Sequence, residues 1–267
     1  MIKIERTDTY GWEAAIRGMR NPKNSWDKSD SHICMCRYTD CDCAMVMDED
    51  EPAKECNDGK YGFCIGQNDF ELMKTLAAAG NDHGKFLRMI TVTVDLTAPL
   101  YWWKEFDTYK VGTVADSCST MHKIHAKEFV LDDFSHEHLF NGIDFAKGNG
   151  DMEYYENPTT CLEYVVRVLN HYRNNYMVAS EKLKRTDLTD AERKHTVAQK
   201  KHFWWQMIQL LPSSYNQKRT VQVNYAVLKN MYHARKNHKL DEWHEFCRWI
   251  EALPYSELIT GCDGEKR

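Results

Sequence analysis

The sequence contains no apolar run approaching the ~20 residues a membrane-spanning helix requires, so no transmembrane segment is expected. Its first residues, MIKIERTDTYGWEAA, hold no long apolar stretch of the signal-peptide kind, and a cytoplasmic protein is expected. Charge of one sign is not in large excess either. The 35 Lys and Arg stand against 40 Asp and Glu, for a net charge of -5. That balance argues against broad, sequence-blind nucleic-acid binding and leaves room for a local anion site. There is no Walker loop, G-x-G-x-x-G fingerprint, H-E-x-x-H helix or G-x-S-x-G elbow, so no ready-made phosphate loop, zinc helix or nucleophile is offered. No internal repeat is visible, which sets solenoids and propellers aside.

What is present is a foldable chain. Of its 267 residues, 42% are hydrophobic and 12% aromatic, enough for a sizeable core. The reading is one domain over 1–267, with a Cys-rich and acidic insertion at about 30–62. Six of the ten cysteines fall between Cys34 and Cys64, with His32 beside them. Thiolates and imidazole are zinc's usual ligands. The C-x-C spacing of HICMCRYTDCDC is not the C-x2-C knuckle, so reduced thiols are the expectation, with zinc as the alternative. The acidic run at 47–55 reads as a solvated loop.

Periodicity predicts helices over 11–20 and 68–80, the latter capped by Asn68 or Asp69 and ended by Gly80. MITVTVDL, 89–96, alternates: Ile90, Val92, Val94 and Leu96 share one face of a half-buried strand, with Asp95 on the other. Thr97 then caps a helix with Pro99 in its first turn, and of Trp102 and Trp103, which anchor that helix, one is expected in the core, because neighbouring helix positions lie about 100° apart and cannot share one face. A polar loop follows, with Tyr109, Lys110, Thr113, Asp116, Ser117, Cys118, Ser119 and His122. Long helices are predicted over 158–179 and 188–211, the second opened by a Thr189–Glu192 capping box and stopped at Pro212. A short extended segment at 219–225 and helices over 226–235 and 240–252 complete a helix-rich α+β chain with a small mixed or antiparallel sheet.

The unit DLTAPLYWWKEFDTYKVGTVADSCSTMHK is strand, helix, then polar loop, and it resembles the core motif of the flavin-dependent thymidylate synthases. Ala98 and Pro99 match that family's approach to the helix. Glu105 falls on its Gln, Phe106 on its Trp, and Thr108, Tyr109 and Lys110 on its Arg-His-Arg. Thr113 and Cys118 fall on its serines, with Ser119 alongside, and Asp116 falls on its Glu. Downstream, LLPSSYNQKRTVQVNYAVLKNMYHAR places Pro212, Asn224, Leu228, Asn230 and Arg235 on family positions without a gap. The family's strand histidine falls at Met89, with His83 and Arg88 nearby.

The resemblance implies a homotetramer that binds FAD, uses NADPH and methylene-tetrahydrofolate as co-substrates, and transfers a one-carbon unit to a pyrimidine deoxynucleotide. The flavin carries the chemistry, so no catalytic side chain is assigned. By position, Thr108, Tyr109, Lys110, Asn224, Asn230 and His83 would line the cofactor. Glu105, Thr113, Asp116, Cys118, Ser119 and Arg235 would line the nucleotide. The change of Arg-His-Arg to Thr-Tyr-Lys removes fixed cations, and charge-assisted hydrogen bonds are worth about 1.5–3 kcal/mol each. His122, Lys123 and His125 are candidate replacements or a solvated basic cluster. A hydroxymethylating outcome and a non-catalytic nucleotide- or flavin-binding relative therefore stay open beside methylation of dUMP.

Overall fold

The computed structural model describes residues 2–33, 63–142 and 157–261. Most of the predicted insertion, with Cys34, Cys36, Cys41, Cys43, Cys56 and the acidic run, lies outside the described residues. Among the described residues no cluster of His, Cys, Asp or Glu is arranged to hold a metal. No described helix is long and apolar enough to cross a membrane. The fold is helix-rich α+β with a small sheet. The chain divides into two compact units: one of Met1–Lys3, Thr97–Phe106 and Ser117–Arg219, the other of Ile4–Leu96, Asp107–Asp116 and Thr220–Arg267. They are called unit 1 and unit 2 below.

Strands β1 (Lys3–Tyr10), β4 (Thr91–Pro99), β5 (Thr113–Ser117) and β6 (Asn216–Asn224) form a sheet in the order β1-β4-β6-β5, and most of each strand belongs to unit 2. Short strands β2 (His32–Ile33) and β3 (Phe63–Cys64) pair as an antiparallel ribbon. The alternation read in β4 holds: Ile90, Val92, Val94 and Leu96 are buried. Asp95, expected on the polar face, is buried as well, because Thr220 donates its hydroxyl to Asp95 Oδ1 at 2.7 Å. β1 and β5 carry polar, largely exposed residues with little alternation, and neither was predicted.

Unit 2 adds helices α1 (Trp12–Arg20), α2 (Gln67–Ala78), α6 (Tyr225–Arg235), α7 (Asp241–Glu251) and α8 (Glu257–Thr260). Trp12 packs edge-on against Tyr225 and Tyr255, with centroids 5.3 and 5.2 Å apart. The start of α2 is capped from a distance, not by Asn68 or Asp69. Asp30 accepts from the Asn68 and Asp69 amides at 2.8 and 3.0 Å, which frees Asp69 for another task. Arg20 Nε donates to Asp69 Oδ1 at 2.6 Å. Asp69 Oδ2 accepts from the Ser29 and Ser31 hydroxyls at 2.7 and 2.6 Å and from the Asp30 and Ser31 amides. Burial alone would raise this carboxyl, but the bonds from Ser29, Ser31 and Arg20 outweigh it and hold Asp69 below the usual carboxylate range.

Unit 1 holds α3 (Leu100–Phe106) and the long helices α4 (Pro158–Lys182) and α5 (Asp190–Leu210). Pro99 ends β4 and does not enter the helix, so the predicted Thr97 cap is corrected. The physical reason is that the first helical amides find carbonyls far along the chain. Leu100 donates to Tyr215 O and Tyr101 to Ser213 O, each at 3.0 Å, and no side-chain cap is required. Trp102 and Trp103 are both fully buried, packed edge-on at 5.0 Å, with Phe106 against each. Trp103 Nε1 donates to Gln217 O at 2.9 Å. A second cluster of Phe129, Phe134, Leu162, Leu169 and Met207 fills the space under α4 and α5. The Thr189–Glu192 capping box forms as read.

Candidate functional site

Four of the predicted positions in unit 2 fall in two places. The first is a cavity of about 310 Å³ between the end of α2, the 80–88 segment, the 111–112 turn and the start of α6. Asn224 and Asn230, predicted to face a cofactor, are in its wall. Asn224 also caps α6: its Oδ1 accepts from Val227 N at 3.0 Å, and its Nδ2 donates to Gly112 O at 3.5 Å. Gly112 has φ +83°, and a Cβ there would lie 2.7 Å from Asn224 Nδ2. The left-handed turn and the close approach both require glycine.

Sequence reasoning missed most of the cavity's other polar groups: Asn81, Arg88 and Lys229. Lys229 Nζ donates to Ala77 O at 2.6 Å, at the carbonyl end of α2, where a cation is favoured. Burial lowers its pKa. Among the described residues, no Asp or Glu stands in the wall. Two basic side chains, three amides and the positive end of α6 therefore face one space, an arrangement suited to an anionic, hydrogen-bonding ligand. A signal for the α6 part existed: Ala226, Lys229 and Asn230 share one helical face at i, i+3 and i+4.

The second place is the end of α6. Arg235 Nε donates to Tyr109 Oη at 3.0 Å. Its guanidinium lies over the Trp243 ring at 4.9 Å and the Tyr109 ring at 5.7 Å. Tyr109 and Arg235 thus meet directly, although neither walls the cavity. Trp243, fully buried on α7, was not singled out from the sequence.

The remaining positions are distributed as follows. Thr108 and Lys110 are exposed on the turn before Gly112, and His83 is exposed ahead of the 84–88 segment. Thr113 and Asp116 lie on β5, expected to be loop, and the Thr113 hydroxyl is buried without a hydrogen-bond partner among the described residues. Glu105, Cys118 and Ser119 belong to unit 1. Glu105 is half-buried on α3. The Cys118 amide donates to Lys218 O at 2.9 Å and its carbonyl accepts from Gln217 Nε2 at 2.8 Å. Ser119 Oγ accepts from the amides of Met121 and His122 at 3.2 and 2.9 Å, closing a local turn.

No family model matches this chain, and none of the curated proteins matches it. Solved structures do. A crystal structure of flavin-dependent thymidylate synthase ThyX from Helicobacter pylori, complexed with FAD and dUMP, is similar with a TM-score of 0.54 and 14% identity, over 98% of each chain. A second structure of that enzyme with FAD and dUMP gives 0.52 and 15%, over 99% of this chain and 100% of the other. At nearly full length, the chain has the fold of the flavin-dependent thymidylate synthases.

Proposed function

We propose that the protein is a divergent flavin-dependent enzyme of the thymidylate synthase kind. It transfers a one-carbon unit from methylene-tetrahydrofolate to a pyrimidine deoxynucleotide, dUMP or a relative of it, with FAD as cofactor and NADPH as reductant. One observation carries the reading. On a fold whose solved examples hold FAD and dUMP, residues chosen from sequence position, Asn224 and Asn230, wall a cavity with basic groups and, among the described residues, no carboxylate.

The residues present fit a flavin dinucleotide in part. At about 310 Å³ the cavity is at the small end of ligand pockets and takes one portion of such a molecule. Asn81, Asn230, Arg88 and Lys229 supply donors for its polar groups. When bound, the flavin supplies the redox and carbon-transfer chemistry. The chain's own groups bind, orient and screen from water. Lys110, Thr108 and His83 flank the cofactor in this reading, and Arg235, held by Tyr109 and Trp243, presents its fork to the nucleotide. A homotetramer belongs to the same reading. Val111 and Val114, 91% and 66% exposed, are apolar side chains that a second copy would cover.

Uptake of FAD by the purified chain, followed by its visible spectrum, tests the proposal. Arg88→Ala and Asn230→Ala should each weaken uptake about tenfold or more, the loss of one charge-assisted bond. A chain that stays colourless at high FAD concentration rules the proposal out. A second reading, a flavin- or nucleotide-binding relative without catalysis, is favoured by the Thr108-Tyr109-Lys110 replacement and by the Tyr109 hydroxyl being engaged with Arg235. Transfer of label from methylene-tetrahydrofolate to dUMP separates the two.

A further inference from the structure

The basic residues at 123–125 take no part in the unit 2 cavity. In unit 1 the His125 ring lies against the Tyr176 ring, with centroids 4.4 Å apart. Lys200 Nζ sits 4.7 Å from the centre of that same Tyr176 ring. Arg173, three residues before Tyr176 on α4, donates Nε to His125 O at 3.1 Å and Nη1 to Asn174 Oδ1 at 3.2 Å. A loop and two helices thus bring Arg173 to the His125 carbonyl and Lys200 to the Tyr176 ring, with Lys123 two residues before His125 on the loop. Burial first, and then these three cations, hold His125 below its ordinary range.

Two features of the cluster are unfavourable in the chain alone. Among the described residues none of the three cations pairs with a carboxylate, although like charges so gathered repel. His125 Nδ1 is buried and has no hydrogen-bond partner among the described residues. The surroundings do not supply the missing charge. Residues 157–211 carry nine Lys and Arg against five Asp and Glu, in a chain whose net charge is -5. A bound anion would offset the repulsion, and lysines with an arginine fork are the usual partners of phosphoryl oxygens.

We propose that Lys123, Arg173 and Lys200, grouped about His125 and Tyr176, form a binding site for a multiply charged phosphoryl group. The site rests on unit 1 alone and does not depend on the flavin reading. The phosphoryl group comes either from a free inorganic anion or from a nucleotide. Calorimetric titration of the full chain with inorganic pyrophosphate and, separately, with ATP distinguishes the sources. Equal affinity assigns the anion itself, and tenfold tighter ATP assigns a nucleotide. Lys123→Gln and Lys200→Gln should each weaken pyrophosphate binding about fivefold or more at fixed ionic strength, as expected for losing one charged partner. Lys182→Gln, an exposed lysine at the end of α4, should leave it unchanged. In the unaltered chain, pyrophosphate should also move the NMR titration midpoint of the His125 ring upward, because an anion favours the imidazolium. Equal loss in all three variants, or a His125 midpoint that does not move, overturns the proposal. FAD uptake is a separate readout, and its failure would leave this result standing.

Discussion

Arg20 and Arg235 are the same side chain put to opposite uses inside unit 2. Arg20 is enclosed, with 4% of its side chain exposed, and its partner Asp69 is wholly buried. Its guanidinium also donates to Ser25 O at 3.1 Å. Every contact ties the 21–31 segment and α2 together, so this arginine is spent on the fold. Arg235 is half-buried, and aromatic faces and a phenol orient it. Ring faces hold a cation in place without neutralising it as a carboxylate does. An enclosed carboxylate fixes Arg20 to the fold, whereas ring faces and a phenol line the half-buried guanidinium of Arg235.

The contrast can be broken by substitution. Arg20→Met leaves the Asp69 carboxylate buried without its cation and should cost about 3–5 kcal/mol in urea unfolding. Arg235→Met, which removes a half-buried cation from Tyr109 and Trp243, should cost less than Arg20→Met, about 2 kcal/mol. Equal costs would remove the distinction. Gly112→Ala forces a side chain into a left-handed turn and against Asn224, and should cost about 1–2 kcal/mol while lowering FAD uptake. A stabilised Gly112→Ala chain would mean that the turn beside the cavity is not held as described.

Acid should act on the Arg20 region first. Asp69 has a folded pKa below its unfolded value of about 3.9, so its contribution is present above that value and lost as pH falls through the folded one. Unfolding free energy should therefore drop below about pH 4 in the unaltered chain and less steeply in Asp69→Asn. Parallel slopes would assign the acid sensitivity elsewhere. The smallest effect is at α4: Asn157 accepts from Thr160 N at 2.9 Å, and Asn157→Ala should cost about 1 kcal/mol, read as a small fall in melting temperature.

The sequence made the helices legible where local signals were strong. The Thr189–Glu192 box and the left-handed Gly80 after α2 are short-range devices that act wherever the chain goes. The β4 alternation was equally local. What went unread depended on distant partners. β5 is a strand because it lies at the sheet edge beside β6, and its own residues read as a polar loop. The candidate site divides in the same way: Asn224 and Asn230 were reachable through the family resemblance, whereas Arg88 and Trp243 became relevant through contacts between segments distant in sequence.

By itself, then, the sequence determined where most helices begin and stop and which face of β4 turns inward, because periodicity and capping involve neighbours within a few residues. Only the tertiary structure decided that Asp30 caps α2, that Asp69 is a buried acceptor of five hydrogen bonds, that both tryptophans of α3 are core, and that Arg235 rests on Tyr109 and Trp243. Those outcomes depend on burial and on which polar group reaches which partner across tens of residues of chain, and no local pattern encodes that distance.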